Sequence, residues 1–412
     1  MTIDRYAEDR IAGWLQAIAP DRLPDHVLTA TFERTRRLPQ VSRRRRWASV
    51  SMRSMPIVFA TGALAVVVAV VAGTIGSLGG QNGGPGRPLG VQFGTTAQIS
   101  GQWTSSSEIA FSVRFSSPED EHLYWRAAVY DEYDLTAWRQ SVTSGFDVAP
   151  GVDVLGGTAD AVTEEGRRAI TFTVVPDEFR ASTILSPQGP AEVSVPVRVS
   201  YVDDNARFVA SIDRSGGDPY TVTALVRQRG DGEASGITVN KLRAAGKVYP
   251  PAIARQYLQV PDGAIPDDGA AEQLLADILA QAPDPDNPYD VATTMVDYLQ
   301  SSRYFTYDTD VRNLPCEGLS TVECFAQFRH GYCQQFATTM AILLRQQGIP
   351  TRLVTGFLPG TRDGRLNETV PFSAAHAWVE VYFPGYGWVE FDPTGGGISA
   401  SEPLPTGAAA EP

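Results

Sequence analysis

Histidine and cysteine are scarce in this chain: its 412 residues hold four of the first and three of the second. That scarcity limits metal chemistry. Structural zinc sites use paired short Cys and His intervals, and Cys316, Cys324, Cys333 and His330 are not spaced that way. An EF-hand calcium loop is missing too. The acidic string from Asp284 to Asp290 is interrupted by Pro288 and lacks the bidentate glutamate that closes such a loop. It reads instead as a helix start capped by Asp286 or Asn287. No cofactor and no metal are expected. Composition excludes little else, because 43% hydrophobic and 20% charged residues suit a globular chain, and the length suggests two or three folded units.

Positive charge is concentrated at one end. Residues 1–55 hold eleven arginines against six acids, whereas residues 56–412 carry a net charge of −18. So acidic a body predicts no nucleic-acid partner, since binding phosphates needs basic side chains. Between the two regions, Ile57 to Leu78 is a run of 22 residues with no ionisable side chain. At about 1.5 Å per residue it reaches roughly 33 Å, enough to cross a bilayer core. Arg43, Arg44, Arg45, Arg46 and Arg53 crowd its N-terminal side, and the next cation is Arg87. Positive flanks stay in the cytoplasm. A cleaved signal peptide fits less well, because its charged region would be far too long and no small-x-small site follows.

The expected plan is therefore a cytosolic segment over 1–55, one transmembrane helix over 56–79 in contact with membrane lipid, and a Gly-rich linker over 80–92. An extracytoplasmic β-rich region over 93–230, a second folded unit over 239–396 and a flexible tail over 397–412 complete it. Stretches such as EIAFSVRF, YWRAAVY, AITFTVV and PYTVTALV alternate apolar and polar residues between turn clusters, which predicts antiparallel strands in a sandwich. The aromatics of HLYWRAAVYDEYDLTAWR read as core and edge packing, with a ligand groove as the alternative. After residue 238, NKLRAAGKVY, GAAEQLLADILAQA and NPYDVATTMVDYLQSS space apolar residues for helices.

Three cysteines beyond the membrane run lie where disulfides persist. If Cys316 and Cys324 pair, Cys333 is left as a single thiol; all three reduced is the other reading. In HGYCQQFATTMAILLRQQGIPTRLVTGF, the apolar stripe Phe336, Met340, Leu343 and Leu344 predicts a helix, stopped by Gly348 and Pro350. Cys333 then sits in its first turn, where free amides and the positive dipole end favour a thiolate. In AAHAWVEVYFPGYGWVEFDPT, His376, Trp378 and Glu380 share one strand face, and Trp388, Glu390 and Asp392 share a face of the next. A three-residue loop, Pro384 to Tyr386, would put Asp392 opposite Trp378 and diagonal to His376. An even loop would separate them.

These blocks resemble the transglutaminase-like superfamily, in which Cys, His and Asp follow in that chain order on a papain-like α+β core whose Cys-bearing helix packs on an antiparallel sheet. NPYDVATTMVDYLQSSRYFTYD and LYWRAAVYDEYDLTAWR further resemble bacterial membrane-anchored proteins of the TgpA type. The chain departs from that type in having one apolar run instead of several, and Leu135 where a glycine usually follows the Tyr-Asp pair. The resemblance implies Cys333 as nucleophile, His376 as general base and acid, and Asp392 as the residue that orients the imidazole. Such a triad attacks a glutamine side chain or a peptide carbonyl of a protein or peptide substrate, in the cell envelope if the topology holds. The Cys333 amide is a natural oxyanion donor, with Gln327 and Tyr332 near in sequence. His330 is a rival base. A non-catalytic envelope module that binds peptides in the same groove is the competing function.

Overall fold

The structure, a computed structural model, describes residues 93–396 except 100, 105, 162–166, 178–181 and 228–235. The expected cytosolic segment, the membrane helix Ile57 to Leu78, the linker and the tail lie outside the described residues. Among the described residues no helix is long and apolar enough to cross a membrane.

Two antiparallel sheets carry the fold. The larger has seven strands in the order Gly387–Phe391, Ala375–Phe383, Thr351–Phe357, Trp125–Tyr130, Phe208–Arg214, Val197–Val202 and Ser144–Val148. The other orders Thr361–Asp363, Asn367–Pro371, Ile109–Phe115, Arg167–Pro176, Tyr220–Arg227 and Pro190–Val193. In both sheets a block of strands from after residue 230 joins edge to edge with a block from before it, so the β-rich region and the later unit share their ladders and form one compact body. Between the sheets, Phe111, Phe115, Trp125, Phe172 and Phe357 pack edge to face or tilted, with ring centroids 5.1 to 6.1 Å apart. Such aromatic contacts add to what their burial alone contributes.

On the other face of the large sheet lies the helix Cys333–Gln346, packed on the strands Thr351–Phe357 and Ala375–Phe383. Its stripe of Phe336, Met340, Leu343 and Leu344 is fully buried, each side chain contributing about 1.5 to 3 kcal/mol. The helix stops as its sequence implies. Gly348 adopts φ +70°, its amide donates to the Arg345 carbonyl, and Ile349 donates to Leu344. The first half of the chain reaches this helix directly: Trp138 Nε1 donates to Thr338 Oγ1 at 3.0 Å, and Arg345 donates through Nη2 to the Asp131 carbonyl. Asn287 caps the helix Pro288–Gln300, accepting from the amides of Tyr289 and Asp290.

Two local features escape pattern reading. Leu135 sits at φ +79°, a region that costs an ordinary residue about 1 to 2 kcal/mol and that glycine adopts freely. Its carbonyl accepts from Tyr133 Oη and from the Thr321 amide, which hold the turn against the helix Thr321–Phe328. That helix is too short to show a clear period in the sequence. It is capped by Ser320 and contains Cys324, bonded to Cys316 with Cα atoms 5.4 Å apart. Closing so short a loop removes unfolded-state entropy worth about 2.5 kcal/mol. Dithiothreitol, or Cys316→Ser, is therefore expected to lower the unfolding free energy by that amount, and identical denaturation curves with and without reductant would refute it.

Candidate active site

Cys333 is the first residue of its helix, so its amide has no partner within the helix. It is a free thiol and only 1% exposed. The preceding amide, that of Tyr332, donates to Gln335 Oε1 at 3.1 Å and fixes the entry of the chain. His330 does not join this thiol. Its Nδ1 lies 3.6 Å from Asp308 Oδ2 and its side chain is 43% exposed.

The histidine and the aspartate come from the hairpin formed by Ala375–Phe383 and Gly387–Phe391. Phe383 pairs with Gly387 and Val379 with Phe391, which leaves the three-residue loop Pro384 to Tyr386. The odd loop keeps Asp392 on the face of His376, and His376 Nε2 lies 2.8 Å from Asp392 Oδ2. Gly385 and Gly387 hold φ +81° and +74° in that turn, conformations that explain glycine at both positions. Asp392 Oδ1 accepts from the Thr394 amide at 3.0 Å. With Nε2 turned to the carboxylate, Nδ1 is the ring nitrogen left for Cys333, whose side chain is a hydrogen-bonding neighbour of the imidazole.

Charge follows from this geometry. Burial opposes an imidazolium at His376, but the Asp392 carboxylate, the Cys333 sulfur and the hydrogen bonds to both outweigh it and push the pKa up to about 10. Burial likewise opposes the Asp392 carboxylate, and the charge and hydrogen bond of His376, with hydrogen bonds from the Thr394 side chain and amide, hold it below the usual carboxylate range. At neutral pH the pair is imidazolium and carboxylate.

Cys333 and His376 line a cavity of about 260 Å3 with Gln98, Trp103, Gln334 and Thr355. A cavity of about 690 Å3 elsewhere, around Arg352, Tyr382 and Trp388, touches none of the three residues. The smaller one is the better candidate because a thiol and an imidazole both line it. Trp103 packs on Tyr332 with centroids 5.7 Å apart. Gln327 is exposed, whereas Gln334 lines the cavity and accepts from Tyr332 Oη at 3.2 Å. Gln334 stands beside Cys333 in the motif and could have been picked by helical position; Gln98 and Trp103 carry no sequence signal. Pattern reading also missed Tyr124, whose hydroxyl donates to Asp392 Oδ2 at 2.8 Å. Cys316 and Cys324, bonded to each other, are unavailable to a zinc site with Cys333.

The chain is similar to known proteins over both halves. Residues 275–393 match the transglutaminase-like superfamily and residues 13–231 match the TgpA N-terminal domain. An uncharacterized protein of Bacillus subtilis, YebA, is 30% identical over 291 residues, covering 67% of this chain and 37% of its own. A protein-glutamine gamma-glutamyltransferase of Pseudomonas aeruginosa is 27% identical over 296 residues, covering 70% and 38%. The chain thus spans less than two fifths of either relative. The crystal structure of the periplasmic domain of Pseudomonas aeruginosa TgpA superposes with a TM-score of 0.51 at 21% identity, over 74% of this chain and 94% of that one, a likeness of fold. With one matched domain family covering more than half of its length and the transglutaminase-like core following it, the chain belongs to the TgpA-type transglutaminase-like proteins.

Proposed function

We propose that the protein is a cysteine acyltransferase or peptidase that forms a thioester at Cys333. The observation that carries the reading is the convergence of a helix-terminal thiol and an imidazole on one cavity, with the imidazole held from behind by a buried carboxylate. The Cys333 thiolate attacks a carbonyl carbon, the carbonyl π electrons move to oxygen, and the Cys333 amide receives the oxyanion. The C–N bond then breaks, and imidazolium protonates the departing nitrogen from Nδ1. The now neutral imidazole takes a proton from amine or water as its nitrogen or oxygen attacks the thioester carbon, and the C–S bond breaks to return the Cys333 thiolate, giving a crosslink, or deamidation or proteolysis. The name of the Pseudomonas relative favours a glutamine side chain as acyl donor. Ile57 to Leu78 would anchor the chain with this site outside the cytoplasm, in reach of envelope proteins and peptides; the Cys316–Cys324 bridge suits that compartment.

Burial of Cys333 to 1% exposure favours a second reading, a closed groove that binds peptide without turnover. A glutamine-containing peptide offered with and without a fluorescent primary amine separates the two. Ammonia release, with label incorporated when amine is present, and loss of both in Cys333→Ala, is expected of a transferase. Cleavage products identify a peptidase. Peptide binding with neither product would leave the groove alone.

A further inference from the structure

The hydroxyl of Tyr124 lies where the mechanism leaves a requirement unmet. Asp392 can orient His376 only if its own carboxylate is held in one rotamer; Thr394 holds Oδ1 through its amide and adds a side-chain hydrogen bond to the carboxylate. Oδ2 takes both His376 Nε2 and Tyr124 Oη, each at 2.8 Å. We propose that Tyr124 is a positioning residue of the site: its buried phenol donates to the same Asp392 oxygen that meets the imidazole and holds that carboxylate in place. The inference rests on the proposed role of Cys333, His376 and Asp392.

The fold builds this contact across 268 residues of chain. Tyr124 immediately precedes the strand Trp125–Tyr130, and Gly356 pairs with Arg126 on one side and His376 on the other. A Cβ at Gly356 would fall 2.0 Å from the Trp125 carbonyl oxygen, so glycine is what lets the two backbones approach. The Tyr124 ring then packs edge-on against Trp378, centroids 5.0 Å apart, and 6.4 Å from His376, two residues on one strand face. The phenol is 6% exposed and donates to an ionised acceptor, a hydrogen bond about twice as strong as one between neutral groups. The other titratable groups facing the imidazole are Asp392 and Cys333, with Tyr307 close enough to feel both of their charges.

Iodoacetamide alkylation of Cys333 against pH, in the full chain and normalised to the folded fraction, reads this role without a substrate. Tyr124→Phe keeps the ring and removes the donor. On the acid limb its rate is expected to fall roughly tenfold, equivalent to moving the limb about one pH unit toward neutral. Because Tyr124 acts through Asp392, the same substitution in an Asp392→Asn background should add no further loss. Trp378→Phe, which disturbs the ring contact and leaves the hydroxyl, should leave the limb in place. Independent, multiplying losses in the double variant, an equal limb shift in Trp378→Phe, or a Tyr124→Phe profile that matches the wild type would each overturn the inference. A wild-type thiol reacting only at the ordinary rate would overturn the proposed site along with it.

Discussion

Alanine at His376 is expected to slow alkylation of Cys333 at pH 6 and to reduce turnover by about a thousandfold or more. The size follows from what one ring does here. In the proposed mechanism it supplies the countercharge for the sulfur and the proton for the leaving nitrogen, and it is the link to Asp392, so three losses fall on one substitution. Exogenous imidazole should recover part of the rate, since the truncated side chain leaves a ring-sized space beside the thiol. At pH 6 an ordinary thiol is more than about 99% protonated, so fast reaction there in the wild type reports the paired state. A variant that reacts as fast as wild type from pH 5 to 9 would remove His376 from the mechanism. The same ring links pH to stability. Its folded pKa of about 10 lies above the unfolded value of about 6.5, so its contribution is complete below pH 6.5 and is lost as pH rises through 10.

Much of this site could be read from the sequence because its signals are local. Helical spacing placed Cys333 at a helix start, and the parity of strand and loop placed His376 and Asp392 on one face once the three-residue loop was assumed. Phe336, Met340, Leu343 and Leu344 marked the buried stripe without any tertiary knowledge. What could not be read depends on strand order. Alternation identifies a strand but says nothing of its neighbours, so the insertion of Trp125–Tyr130 beside Thr351–Phe357 is invisible, and with it Tyr124, Gln98 and Trp103 at the site. The helix Thr321–Phe328 was hidden because its eight residues are too few for a clear period. Leu135 illustrates a third limit: its φ is imposed by contacts to Tyr133 and Thr321, against its own preference.

Strand-face reasoning gave Glu380 the same orientation as His376, and it separates chemistry from scaffolding. Glu380 lies fully buried between Arg352, whose Nε donates to it at 2.7 Å, and Arg126, 3.4 Å away. Arg352 also meets Asp160 at 2.7 Å, and Asp160 accepts from the Val209 amide. Arg126 and Asp160 come from the first half of the chain, Arg352 and Glu380 from the second. Burial alone would raise the pKa of Glu380, but the charges of Arg352 and Arg126 hold it below the usual carboxylate range. Glu380→Ala leaves Arg352 with Asp160 alone and removes the carboxylate that Arg126 meets, a change expected to destabilise the fold by about 3 to 5 kcal/mol. Urea denaturation measures it directly. The wild-type contribution of this carboxylate is present above the unfolded value of about 4.3 and is lost as pH falls through the lower folded value, so the difference between wild type and Glu380→Ala should shrink in acid. Per folded molecule, Cys333 in Glu380→Ala should alkylate as in the wild type, because Asp392 supplies the orienting carboxylate. Normal stability with slow alkylation would reverse the assignment, making Glu380 part of the reactive site and the charge network dispensable.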